Sequence, residues 1–231
     1  MIGQDGEPWP QAEFWATGDQ ADRLEAIGAW LEGVPGGFCL PWPGEQGPAT
    51  LRAFSSPQAW RAALSELDLD PACAAPKVVR DKYRRAQKLY LLAWIDGDVM
   101  LAGEMAAFTA LELALNDQVG PKVAALAEKP RKKAKVSATG MIRTPLLADL
   151  LDYLVVHAGI VDEDFPTALS AGGTVVDRLR KVGPLASRPT LAETRNRLAH
   201  GDPFEGLPLG GLLHVVRDLI HYLYRTAPAS P

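Results

Sequence analysis

Apolar residues recur every three to four positions along most of the chain from Lys77 onward, which is the period of an amphipathic α-helix. Val79, Tyr83, Ala86, Tyr90 and Trp94 mark one such face within Val78–Ile95, and "DGD" at Asp96–Asp98 breaks or bends it. Leu101, Met105, Phe108, Leu111, Leu115 and Val119 mark a second over Asp98–Val119, which Gly120-Pro121 is expected to stop. A third helix is expected from about Pro145 to His157, a short fourth in "GGTVVDRLRKVG" and a fifth in "RPTLAETRNRLAHG". The last falls in "GGLLHVVRDLIHYLYR", with Leu212, Val215, Val216, Leu219 and Leu223 on its apolar side. Between the second and third, "AEKPRKKAKVSATG" is polar and unperiodic and reads as a mobile loop. No internal repeat is present. The pattern predicts a mainly α fold, a helical bundle.

The first seventy-odd residues differ. They are rich in Gly, Pro and Trp and carry little long periodicity. "DQADRLEAIGAWL", Asp19 to Leu31, fits a short amphipathic helix; "GGFCLPWP" and "ATLRAF" each fit a short strand. Ser56 as a cap with Pro57 at the first helical position starts a helix over "SSPQAWRAALSEL". "DLDPACAAPK" reads as a linker, so a boundary falls near residue 76. This divides the chain into an acidic N-terminal extension of mixed or irregular structure, residues 1–76, and a helical domain, residues 77–231.

Charge sharpens that division. Residues 1–70 hold 11 acidic and 3 basic side chains, a balance of −8, and the remaining residues hold 17 and 21, a balance of +4, which sum to the net −4. "KVVRDKYRRAQK", Lys77 to Lys88, has six basic residues against one Asp, and "KPRKKAK", Lys129 to Lys135, has five in seven. Such clusters suit a polyanion, so Lys129, Arg131, Lys132, Lys133 and Lys135 are candidate RNA-binding residues, although charge runs are commonly solvated faces. Cys39 and Cys73 are the two cysteines and form no CxxC pair, which argues against a disulfide framework or a cysteine zinc site and for a reduced, cytoplasmic setting. The N-terminus lacks the basic and apolar regions of a signal peptide. The greasy stretches Leu89–Ile95 and Leu147–Val161 are too short or too charged to span a bilayer, so no membrane partner is expected.

The candidate chemistry lies in "ETRNRLAHGDPFE", Glu193 to Glu205. Thr190 and Glu193 have capping-box spacing, so the helix is expected to start at Thr190; Gly201 and Pro203 end it, which leaves His200 at its last position. At 100° per residue Asn196 and His200 share a face, with Arg195 beside Asn196 and long enough to reach around. Cations in a last helical turn also meet the negative end of the macrodipole, a purely structural reason for Arg195, Arg197 and His200. Asn196 in mid-helix has no such reason.

"RNRLAHG" resembles the signature of the HEPN superfamily, an Arg followed by a polar residue and a His four to six positions on, here Arg195, Asn196 and His200. The context is similar too: the motif closes a helix, a long helix follows, and "AGEMAAFTALELALNDQVG" resembles the long helix in the first half of such domains. The resemblance covers about residues 77–226. It implies a HEPN-like helical bundle, a metal-independent endoribonuclease active in toxin-like or antiviral defence, a homodimer with its site between protomers, RNA as substrate, and an antitoxin or defence-system partner. No cofactor and no metal are implied. The residues present suit that chemistry. A ribose 2′-OH attacks its own 3′-phosphate when a base takes its proton and a cation stabilises the phosphorane; imidazole serves as acid or base near neutrality, and guanidinium matches phosphate oxygens. Asn196 would orient His200 or the phosphate. Members silenced by a nucleotidyltransferase partner carry a Tyr two residues after the His; Asp202 stands there in this chain.

Other constellations are weaker. Glu104 and Glu112 lie eight apart on one helix face and read as solvated or structural, with Glu112 a candidate partner of Arg195. His214 and His221 have no third ligand at fitting spacing. "SAGGTVVDRL" lacks the Lys and glycine spacing of a phosphate loop. The Trp residues read as core or interface. Two non-enzymatic readings stand beside the nuclease: a non-catalytic HEPN module for dimerisation or RNA binding, and an unrelated helical adaptor.

Overall fold

In the computed structural model, residues 37–43, 50–127, 145–171, 175–180, 189–201 and 210–225 are described. Strands β1 (Phe38–Trp42) and β2 (Thr50–Phe54) pair antiparallel with Leu40 opposite Arg52, as the two short apolar runs predict. Helix α1 (Pro57–Ser65) starts where the sequence sets it: the Ser56 hydroxyl accepts from the Ala59 N–H at 3.2 Å and Pro57 occupies the first turn. Helices α2 (Lys77–Leu92) and α3 (Val99–Gln118) form an antiparallel-capable hairpin joined by the Asp96–Asp98 turn. Then come α4 (Gly120–Ala127), α5 (Leu147–Val156), a 3-10 turn at Asp162–Asp164, α6 (Pro166–Ala171), α7 (Val176–Leu179), α8 (Leu191–His200) and α9 (Leu212–Leu223). The described residues are mainly α with one two-stranded sheet. The expected helix at Asp19–Leu31 and the basic loop at 127–140, apart from Ala127, lie outside the described residues.

Helix α3 is the central element. Ala107, Phe108, Ala110, Leu111, Ala114 and Leu115 are all fully buried. Burying Phe108, Leu111 and Leu115 stabilises the fold by roughly 1.5–3 kcal/mol each. Neighbours on several sides explain why Leu101 and Met105, expected in the core, are only half-buried while Met100 and Ala107 lie inside. Gly120-Pro121 does not end the helical path; α4 begins at Gly120 itself, so the pair makes a bend, and a Pro in the first turn loses no helical hydrogen bond. By length and composition α3 is apolar enough to cross a membrane, which the shorter stretches singled out from the sequence are not, but half of its apolar window is buried within this protein.

The described part of the N-terminal segment shares the helices' core. Trp42, Phe54 and Trp60 form a cluster of edge-on and tilted rings. The Trp60 indole donates to the Tyr90 carbonyl on α2 at 2.7 Å. The fully buried Tyr83 hydroxyl lies within donating distance of the carbonyls of Leu67, at 2.9 Å, and Leu213, at 3.1 Å, which share its one proton and join the linker, α2 and α9. Gln87 donates to the Leu64 carbonyl and the Asp68 carboxylate. Residue 76 therefore marks where α2 begins, while the buried apolar residues on either side of it make one cluster.

Candidate functional site

Helix α8 is built as its sequence dictates. The Thr190 hydroxyl accepts from the Glu193 N–H at 3.2 Å, and the Glu193 carboxylate accepts from the Thr190 N–H at 2.9 Å, a closed capping box. Leu191, Ala192 and Thr194 are buried, and the Thr194 hydroxyl donates to the Thr190 carbonyl at 2.9 Å. This turn seats the helix against the protein. His200 is the last helical residue, and Gly201 follows in the left-handed conformation, φ 67° and ψ 49°, with its N–H turned back onto the final carbonyls. A side chain at Gly201 would find open space around it but would be strained by the positive φ.

The three motif residues leave this helix in two directions. Asn196 and His200, four apart, are both exposed, and neither side chain bonds to a described residue. Arg195 is half-buried and turns to α3, where its Nε donates to Glu112 Oε1 at 2.7 Å and its Nη2 lies 3.5 Å from Oε2. The pair spans 83 positions of sequence, with 34% and 28% of the two side chains exposed. The structure thus brings Arg195 to Glu112, the partner singled out from the sequence, and no bond among the described residues joins Arg195 to Asn196 or His200. Guanidinium has two donor edges; the Nε–Nη2 edge is on the carboxylate, and the Nη1 edge makes no bond to a described residue.

Glu104, on the same helix as Glu112, is buried rather than solvated, beside Tyr90. Burial, and secondarily the charge of Glu104, pushes the Tyr90 hydroxyl well above the usual tyrosine range.

The basic cluster on α2 is partly consumed by the fold. Arg80 donates through Nε to the Ala75 carbonyl at 2.9 Å and through Nη2 to the Cys73 carbonyl, tying down the linker. Lys77 pairs with Asp81 at 2.6 Å, and Arg84 lies 4.0 Å from Asp68. Lys129, Arg131, Lys132, Lys133 and Lys135 fall outside the described residues, as does Asp202.

The histidines of α9 hold structure. His221 Nε2 accepts from the Asp70 N–H at 3.1 Å, and burial lowers its pKa. His214 packs edge-on against Trp42, ring centres 4.7 Å apart, and burial with the nearby Arg217 charge lowers it to about 4. Among the described residues no group of His, Cys, Asp or Glu is arranged to hold a metal. Sequence reasoning missed Asp218, whose buried carboxylate accepts from the Thr167 N–H at 2.7 Å and from Arg217. Asp218 follows Arg217 and shares its side of the helix with His214 and His221, so nothing in the pattern marks it as buried.

Comparison with known proteins adds nothing to this geometry: the chain has no match to a family model, a curated protein or a solved structure.

Proposed function

We propose that this protein is a metal-independent endoribonuclease of HEPN type, with Arg195, Asn196 and His200 as its motif residues. The observation that carries the reading is one helix end at which an exposed histidine follows, five positions on, an arginine held by a carboxylate of the core helix. In the reaction the 2′-oxygen bonds to the adjacent phosphorus and its proton passes to a base. The P–O5′ bond breaks, and the departing 5′-oxygen takes a proton from an acid. The products are a 2′,3′-cyclic phosphate and a 5′-hydroxyl. His200 suits the proton steps and Arg195 the phosphorane charge.

Arg195 and His200 are five residues apart, so they point about 140° from one another around the helix axis. A single helix end therefore offers them poorly to one phosphate. A second copy related by a two-fold axis beside His200 would supply the complementary group, so the reading includes a homodimer. RNA as substrate, a cytoplasmic setting, a role in toxin-like or antiviral defence and an antitoxin or defence-system partner belong to the same proposal.

One observation favours a second reading, a non-catalytic HEPN module for dimerisation or RNA binding: the guanidinium is already engaged by Glu112. Substitution separates the two. His200→Ala and Arg195→Ala should each abolish RNA cleavage while stability changes by about 1 kcal/mol or less, since both groups are at least partly exposed. Cleavage that survives both substitutions would remove the motif from the chemistry.

A further inference from the structure

We infer that Glu112 is the positioning residue of the site: it grips Arg195 by the Nε edge and presents the Nη1 edge to a phosphodiester. The inference rests on the nuclease reading for its ligand, and on the geometry of α3 and α8 for the grip.

Glu112 stands between Leu111 and Leu115 of α3, both fully buried, so its backbone belongs to a helix held in the core. Its carbonyl also accepts from the Asn116 side chain at 2.8 Å. On the other side, buried Leu191, Ala192 and Thr194 fix the backbone of α8 just before Arg195. Both ends of the ion pair are thus anchored, and the side chain between them is held by the short Nε–Oε1 bond. Arginine has several rotatable bonds, and an exposed one samples many directions. Fixing it beforehand removes that ordering cost when an anion arrives. Binding through Nε rather than through both terminal nitrogens matters, because it leaves a terminal donor edge for phosphate oxygens. A Lys at position 195 has no second edge and could not serve both partners.

The competing account makes Glu112 a neutralising partner that occupies Arg195 and weakens its hold on anions. The two accounts differ in sign. The full-length protein, ¹⁵N-labelled, is examined by NMR for the Arg195 Nε–H resonance, identified by its loss in Arg195→Lys. The same proteins are titrated with a 2′-deoxy oligonucleotide, which has no attacking hydroxyl, and assayed on RNA. The Arg195 Nε–H should exchange slowly with solvent in the wild type and rapidly in Glu112→Gln. Glu112→Gln should weaken oligonucleotide binding, raise KM in step with it and lower kcat by about tenfold or more, as for a misaimed group that meets the phosphate both before and during the reaction. Glu112→Asp should recover part of kcat, and Glu112→Gln should add no further loss of oligonucleotide binding in an Arg195→Ala background. A rapidly exchanging Nε–H in the wild type overturns the inference, and so does Glu112→Gln binding the oligonucleotide more tightly or cleaving as fast as wild type. A wild type that cleaves no RNA counts against the nuclease reading alone; the Nε–H resonance then decides whether Glu112 holds Arg195.

Discussion

His214 and His221 face the N-terminal segment from one side of α9, and both contacts need an uncharged ring. The His221 nitrogen is an acceptor for the Asp70 N–H, which a protonated ring cannot be, and buried His214 Nδ1 has no hydrogen-bond partner among the described residues. Their lowered pKa values mean that the unfolded chain binds more protons than the folded one between an ordinary histidine value near 6.5 and about 4 for His214. Stability from these rings is therefore complete above about pH 6.5 and is lost as the pH falls toward 4. For His214 the loss is about 3 kcal/mol at most. Melting temperature followed from pH 7.5 to 4 should fall less steeply in a His214→Phe, His221→Gln double variant, which keeps the ring contact and the acceptor but cannot titrate. An unchanged slope would show that neither ring reports on folding. At this scale the sequence was informative wherever a residue answers to its own helix. Thr190, Glu193, His200 and Gly201 sit where capping rules put them. The direction of Arg195 was open, because spacing fixes an angle on one helix and not which neighbour lies alongside it.

At the scale of elements, α2 and α3 approach closely at Gly103. A Cβ added there would lie 2.6 Å from the Tyr90 ring and 3.3 Å from Leu89 Cβ, so the ring would have to shift. In a free helix Gly→Ala is favourable by about 1 kcal/mol. Here overpacking outweighs it: displacing a buried ring whose own carbonyl holds Trp60 should make Gly103→Ala less stable by about 1–3 kcal/mol. Urea denaturation measures this directly, and a Gly103→Ala protein as stable as wild type would mean that the hairpin has slack at this point. Helix existence was legible from the 3.6-residue period, and the strands from short apolar runs between turn residues. The inner face of α3 was less so. A helix wrapped on several sides loses its polar stripe, so Leu101 and Met105 fitted the period yet are half-buried, while Glu104 lies inside. The turn at Gly120-Pro121 misled for a different reason, since the residues that stop one helix also suit the first turn of the next.

For the whole molecule, composition and charge suggested an acidic extension beside a helical domain, and the packing joins the described part of the extension to the helices through Trp42, Trp60 and Tyr83. No sequence period reports such long-range contacts. The function proposed here places its chemistry at an exposed helix end on that scaffold, with Arg195 backed by Glu112 and His200 open to solvent. Such a site needs no metal: an imidazole moves the protons and a guanidinium meets the charge. The measurement that tests this most directly is incubation of the purified protein with single-stranded RNA in EDTA, followed by analysis of the product ends. Cleavage that leaves 2′,3′-cyclic phosphate or 3′-phosphate ends together with 5′-hydroxyls is the predicted result. Products bearing 5′-phosphates, or cleavage abolished by EDTA, would contradict it.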